Sequence, residues 1–181
     1  MSVKLSTLAI ILGAAMVAIN LFGIIQPLKF ANLARKFPRS LPAGFALTIL
    51  ATIWFIWNVS RESLSDFESL KTFLFMLFAA VGLGTCIFVR DYLAVRGAAA
   101  VMLLLAKLIV DSARWYDTEF RLVMVVWAYV LVLAGMWFTV SPWHLRDLIQ
   151  WSTANDSRTR ITSGVRLAFG AIVLVLGIAV F

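Results

Sequence analysis

The sequence predicts an all-α integral membrane protein, a compact bundle of about six transmembrane helices in one domain spanning 1–181. Of the 181 residues, 62% are hydrophobic and only 14% are charged, whereas a soluble domain is about half apolar and about a quarter charged. Apolar runs of about 20 residues, the length that crosses a bilayer as a helix, recur along the chain. These runs do not alternate polar and apolar residues, as the strands of a membrane barrel would. The connections between them are short, so no second domain is expected.

Six apolar runs are the predicted membrane spans. They cover 5–25, 43–59, 70–89, 92–110, 122–140 and 163–181. The first run is longer than the core of a signal peptide and has no convincing cleavage site, so we expect it to remain as a helix. Cys86 is the single cysteine, which excludes an internal disulfide. Because it lies inside the third run, we expect a small buried side chain.

The distribution of Lys and Arg predicts the orientation of the bundle. If all six runs span, the first, third and fifth connections share one side of the membrane. Ten of the 16 basic residues fall on that side, namely Lys29, Arg35, Lys36, Arg39, Arg90, Arg96, Arg146, Arg158, Arg160 and Arg166. Basic connections face the cytoplasm, so both termini are predicted to be extracytoplasmic. The helices would then form three hairpins in what we expect to be a bacterial inner membrane.

Two short segments on the predicted cytoplasmic side are typical of amphipathic helices. Each begins at a proline just past a span, Pro27 or Pro142, and apolar residues then recur at helical spacing. We expect both helices to lie along the membrane interface, with basic and aromatic side chains anchored among anionic lipid headgroups. The predicted anchors are Lys29, Arg35, Lys36, Trp143, His144, Arg146 and Trp151. After these segments, Gly44 and Gly164 are predicted to open the returning helices.

The one histidine does not indicate metal chemistry. His144 has no second histidine, cysteine pair or carboxylate cluster near it in the sequence, and metal sites normally need three or four such ligands. We therefore predict a polar interfacial side chain and no metal or cofactor. The net charge of +7 does not indicate a nucleic-acid partner either, because the basic residues lie between apolar runs and form no nucleic-acid recognition motif.

The fourth span carries charged residues that would share one helical face. Arg96, Lys107, Asp111 and Arg114 fall within a sector of about 60° at about 100° per residue. We call this set the polar seam. Neighbouring members are three or four residues apart and can touch. Three interpretations stay open: side chains that reach the membrane surfaces, a structural ion pair, or a site for a substrate or ion.

Glycines within the spans predict close contacts between helices. Gly82, Gly84, Gly97, Gly135, Gly170 and Gly177 are the candidates. With the lipid bilayer as solvent, the expected partners are other membrane subunits or further copies of this chain.

The leading functional hypothesis is a small non-enzymatic accessory or scaffold subunit of an inner-membrane assembly. It rests on the short connections, the small residues and the lack of any recognisable catalytic grouping. The alternative is a small oligomeric transporter or channel with the polar seam in its path. A third hypothesis, from another class, is a membrane-embedded enzyme that acts on lipid and uses Asp111, Asp117 or Glu119.

Overall fold

The computed structural model describes residues 4–61 and 70–181, and this part of the chain is helical with no β-strand. The helices are α1 (Leu5–Ile25), α2 (Pro27–Lys36), α3 (Leu41–Arg61), α4 (Lys71–Phe88), α5 (Leu93–Ala113), α6 (Arg121–Val140), α7 (Trp143–Ser152) and α8 (Asp156–Ala179). A 3₁₀ turn, Phe37–Arg39, joins α2 to α3. Within the described ranges, α1, α3, α4, α5, α6 and α8 are long and apolar enough to cross a membrane. The predicted multi-pass helical fold is therefore confirmed at this level.

Most of the predicted boundaries lie within a few residues of the observed ones, but the last helix does not. Helix α8 begins at Asp156 rather than at residue 163, and Gly164 lies inside it instead of opening it. Arg158 and Arg160, on its early turns, are exposed. Hydropathy marks where a helix enters an apolar solvent, whereas backbone hydrogen bonding continues past that point. The apolar run therefore underestimates the length of the helix.

Helix α5 is at the centre of the bundle. Ten of its residues are buried, and it packs between α3 and α6. The largest buried cluster joins α5 and α6 to the ends of α1 and α8 that lie farthest from α2 and α7. Its buried members are Leu5, Leu8, Ala9, Ala106, Ile109, Ala113, Met124, Ala128 and Val173. Alanine is frequent in this cluster, so the helices approach one another closely.

Helices α1 and α8 form the most extensive pair in the bundle. At Gly13, a Cβ atom would lie 2.7 Å from the amide nitrogen of Leu174 and 2.9 Å from the carbonyl oxygen of Gly170. At Gly177, it would lie 2.9 Å from the amide nitrogen of Ile10. The two backbones therefore touch at these points, as small-residue interfaces allow in membranes.

The packing does not follow the three predicted hairpins. These would pair α1 with α3, α4 with α5, and α6 with α8. The closest contacts join α1 to α8, α5 to α6, and α3 to both α4 and α5. Chain order shows which helices share a connection, but the size of the facing side chains decides which helices pack. Gly84, predicted to lie at a helix contact, is at no such contact within the described chain, because no atom lies within 4 Å of a Cβ placed there.

The connections that were predicted to share a side lie together at one end of the bundle. Helix α2 contacts α7, and Arg35 hydrogen-bonds to Thr153 at the end of α7. Arg146 of α7 donates a hydrogen bond to Tyr92, which immediately precedes α5. Tyr116, in the connection between α5 and α6, donates its hydroxyl to the carbonyl of Phe181 beyond the other end of α8. We call the end that holds α2 and α7 the basic end.

Replacing Gly13 by Ala tests the close packing of α1 on α8. The added methyl group would meet the backbone of α8, which cannot move aside cheaply, so we expect a loss of about 1–3 kcal/mol of stability. Thermal unfolding in mild detergent measures this loss. Gly164→Ala is the matched control, because a Cβ there meets nothing within 4 Å. It should be neutral or stabilising by up to about 1 kcal/mol. Equal melting temperatures for the two variants would contradict the proposed interface.

Candidate functional site

A groove with a volume of about 500 Å³ lies between α3, α4 and α5. We call it the lateral groove, because it runs along the sides of the three membrane-spanning helices. Its rim is open: Val81 of α4 is 56% exposed. The lining residues are Thr48, Ala51, Thr52, Phe55, Phe78, Val81, Gly82, Thr85, Arg96, Gly97, Ala100, Leu103, Leu104 and Lys107.

The groove exists because α4 packs on α3 but has no close packing with α5. A Cβ at Gly82 would lie only 2.2 Å from Oγ1 of Thr52, so α4 approaches α3 closely there. The Phe55 and Phe78 rings meet edge to face at 4.6 Å between centroids. The Thr52 hydroxyl donates to the Thr48 carbonyl at 2.8 Å, and it needs no partner from α5. The gap left between α4 and α5 forms the groove.

Arg96 supplies a cation at the end of the groove nearest the basic end. It is the fourth residue of α5, about 4.5 Å along the axis from the first one. Its Nε atom is buried and has no hydrogen-bond partner among the described residues. The Thr48 hydroxyl oxygen is also buried, and it too has no hydrogen-bond partner among the described residues. A buried polar atom without a partner is costly, so these two atoms mark where a polar ligand group would be favoured.

Lys107 lies at the other end of the groove, about 16 Å from Arg96 along α5. Its Nζ atom is 2.7 Å from Oδ2 of Asp111, and the two side chains are 44% and 56% exposed. An exposed pair of this kind contributes about 0.5 kcal/mol or less. Arg114 does not join this pair in the part of the chain described here. Its guanidinium lies 5.6 Å from the ring centroid of Trp115.

The structure therefore divides the predicted polar seam. Arg96 and Lys107 line the lateral groove, whereas Asp111 and Arg114 are outside its lining. Asp117 and Glu119, named for the enzyme hypothesis, are exposed in the connection between α5 and α6. In the described residues, no three His, Cys, Asp or Glu side chains lie together in a way that could hold a metal ion.

The predicted anchors on α2 differ from one another. Lys29 and Lys36 are exposed. Arg35 is exposed as well, but it donates through Nε to Oγ1 of Thr153 at 3.0 Å and through Nη2 to the Thr153 carbonyl oxygen at 2.6 Å. Thr153 is buried. Arg35 thus ties α2 to the turn between α7 and α8, a role that its sequence neighbourhood did not indicate, because its partner is far away in the chain.

On α7, the single histidine lies among aromatic rings. The His144 ring is 5.4 Å from that of Trp137 and 5.7 Å from that of Trp143, between centroids. Trp143 and Trp151 are exposed, and the guanidinium of Arg158 lies 5.6 Å from the Trp151 ring centroid. His144 is itself exposed, so these rings contact it at the surface of the bundle.

Arg146 connects α7 to the start of α5. Its Nη1 donates to the Tyr92 hydroxyl at 3.0 Å, while Nε and Nη2 donate to Oδ1 of Asp147 at 2.9 and 2.7 Å. The hydrogen-bonded Asp147 carboxylate raises the pKa of Arg146 above its ordinary value. Tyr92 has a φ of 54°, a left-handed conformation that is uncommon for an aromatic residue. No sequence pattern had marked Tyr92 as a partner of α7.

The groove itself was not predicted, although its residues follow helical faces. Thr48 and Thr52 are one turn apart on α3, and Phe78, Gly82 and Thr85 share one face of α4. Each stripe by itself indicates a helix contact. The groove forms where such stripes from α3, α4 and α5 face one another, and the sequence does not show which helices are neighbours.

Arg35→Ala tests the tie between α2 and α7. We expect it to cost about 1 kcal/mol of stability, because two hydrogen bonds to Thr153 are lost and a carbonyl of a buried residue loses its partner. Lys36→Ala removes the same charge from an exposed neighbour and should change little. Thermal unfolding of both variants in the same detergent gives the comparison. If Lys36→Ala were equally destabilising, the effect would come from charge and not from the bonds to Thr153.

Comparisons with known proteins assign no family to this chain. No protein-family model matches the sequence, and no curated protein or solved structure is detectably similar to it. Its function must therefore be inferred from the geometry of its own residues.

Proposed function

We propose that this chain is a small non-enzymatic accessory or scaffold subunit of an inner-membrane assembly. The observation that carries the proposal is the position of α4 at the edge of the bundle. Cys86 is the only buried residue of this helix in the described structure. Its one extensive contact is with α3. Helix α4 is therefore the segment on which a partner subunit would bury the most new surface.

The outward face of α4 is broad and apolar. Phe73, Met76, Leu83 and Ile87 are 57–62% exposed, and they recur at helical spacing on the side away from the groove. Gly84 also has open space around it, which would let another helix approach closely. Lipid tails solvate such a face as well as a protein does, so association here would depend on close packing. That requirement favours a specific partner helix over nonspecific aggregation.

The same proposal places the basic end in the cytoplasm. The three basic connections lie together there, which is the arrangement that the positive-inside rule requires of cytoplasmic segments. Helices α2 and α7 would then lie along the cytoplasmic interface, where Lys29, Lys36 and Trp151 are exposed. Both termini would be extracytoplasmic, and the membrane would be a bacterial inner membrane.

Cysteine labelling tests this orientation. In a Cys86→Ala background, Ser157→Cys places a thiol at the basic end, and Asp117→Cys places one in the connection between α5 and α6. Both positions are exposed. With a membrane-impermeant maleimide on intact cells, we expect Asp117→Cys to react at once and Ser157→Cys only after permeabilisation. The reverse pattern would show that the bundle is inserted the other way round.

Photo-crosslinking tests the accessory-subunit proposal. A photoreactive amino acid at Met76 or Leu83, on the outward face of α4, should form one discrete adduct with another membrane polypeptide in native cells. Leu133 on α6 is the matched control, because it is 68% exposed on a helix that already packs along α5. We expect only lipid adducts there. Adducts of the same size from both helices, or lipid adducts alone from α4, would contradict the proposal.

The transporter hypothesis retains one supporting observation. Arg96 and Lys107 of the polar seam line one continuous groove. The lining between them is largely apolar, however, and the groove opens along the side of the bundle. A polar solute would find few hydrogen-bonding groups there, whereas a hydrophobic chain would be well solvated. The geometry therefore supports lateral binding in the membrane better than passage of ions.

A further inference from the structure

We propose that the lateral groove binds one acyl chain of an anionic phospholipid, with its phosphate group on Arg96. The groove combines an apolar trough with a cation at one end, which is the chemical pattern of such a lipid. This site is on the inward side of α4, whereas the proposed subunit contact uses the outward side. The two proposals can therefore fail separately.

The middle of the groove has the shape and chemistry of an acyl-chain site. Between Arg96 and Lys107 its lining is mainly aliphatic and aromatic, with Ala51, Phe55, Phe78, Leu103 and Leu104 among the residues. It extends about 16 Å along α5. Because it follows helices that span the membrane, an acyl chain could enter it from the bilayer without crossing a polar surface.

The phosphate is assigned to Arg96 on charge and hydrogen bonding. The Nε atom of Arg96 is buried without a partner in the described structure, and a guanidinium binds phosphate oxygens through two parallel hydrogen bonds. Arg96 lies about 4.5 Å along the helix axis from the first residue of α5, and Thr85 lies about 4.5 Å from the last residue of α4. The connection between these two helix ends is at the basic end. Arg96 is therefore about one helical turn from the basic end, where a headgroup would lie.

The opposite end of the groove does not offer an equivalent site. Lys107 is 2.7 Å from the Asp111 carboxylate, which balances its charge and would repel a phosphate. The two ends of the groove therefore differ: at one end the buried Nε of Arg96 has no hydrogen-bond partner among the described residues, and at the other end Lys107 is paired with Asp111. A lipid should bind in a single orientation, with its headgroup toward the basic end.

Native mass spectrometry tests this site. The full chain is reconstituted into vesicles of equal phosphatidylglycerol and phosphatidylcholine with identical acyl chains, then extracted in mild detergent. We expect one retained phosphatidylglycerol per chain. Arg96→Gln should weaken its affinity about tenfold, and Arg96→Lys should weaken it less. Arg90→Gln removes an equal charge from an exposed residue at the same end and should retain the lipid.

A second pair of variants tests the groove itself. Ala100→Phe places a ring in the trough and should displace the retained lipid, whereas Ala80→Phe adds the same bulk to an exposed position on α4 and should not. Equal retention of the two lipids, equal losses in Arg96→Gln and Arg90→Gln, or full retention in folded Ala100→Phe would each overturn the proposal. If Ala100→Phe fails to fold, the comparison of Arg96 with Arg90 decides.

Discussion

Close backbone contact between α1 and α8 is the constraint on which the rest of the bundle depends. In a membrane, moving an apolar side chain from lipid to protein brings little hydrophobic gain, so helices associate where they can approach closely. Gly13 and Gly177 allow that approach, since a Cβ at either position would meet the backbone of the facing helix. Pairing these helices places Leu5 and Val173 in one cluster with α5 and α6. The bundle is therefore organised by its smallest residues.

The basic end is held together differently, by hydrogen bonds from two arginines. Arg35 joins α2 to Thr153, and Arg146 joins α7 to Tyr92. Both arginines were predicted to be lipid anchors, yet their donors are at least partly used within the protein. Lys29 and Lys36 are exposed. Part of the positive charge of this end thus joins the short helices to the rest of the bundle.

Packing becomes less tight from the centre of the bundle toward α4. Helix α5 is buried on several sides, whereas α4 has one buried residue in the described structure. This unevenness produces both features that carry the functional proposals. The outward face of α4 is free for another helix, and its inward face leaves a groove against α5. Arg96 gives that groove a polar end that a simple packing gap would not have, because its buried Nε has no hydrogen-bond partner among the described residues and favours an anionic group.

Composition and periodicity alone determined that the described residues form six helices long and apolar enough to span a membrane, and that α2 and α7 are helical. Long apolar runs and proline-led amphipathic segments are local properties of a sequence. Asp111 was correctly placed within reach of Lys107, since residues four apart on a helix are neighbours. Only the tertiary structure decided which helices pack, because pairing depends on facing side chains far apart in the chain. The tie from Arg35 to Thr153, the contact of Arg146 with Tyr92 and the lateral groove all arise in this way. The start of α8 was missed for another reason: hydropathy reports only the apolar part of a helix, while the backbone hydrogen bonds of α8 begin in the polar residues before it.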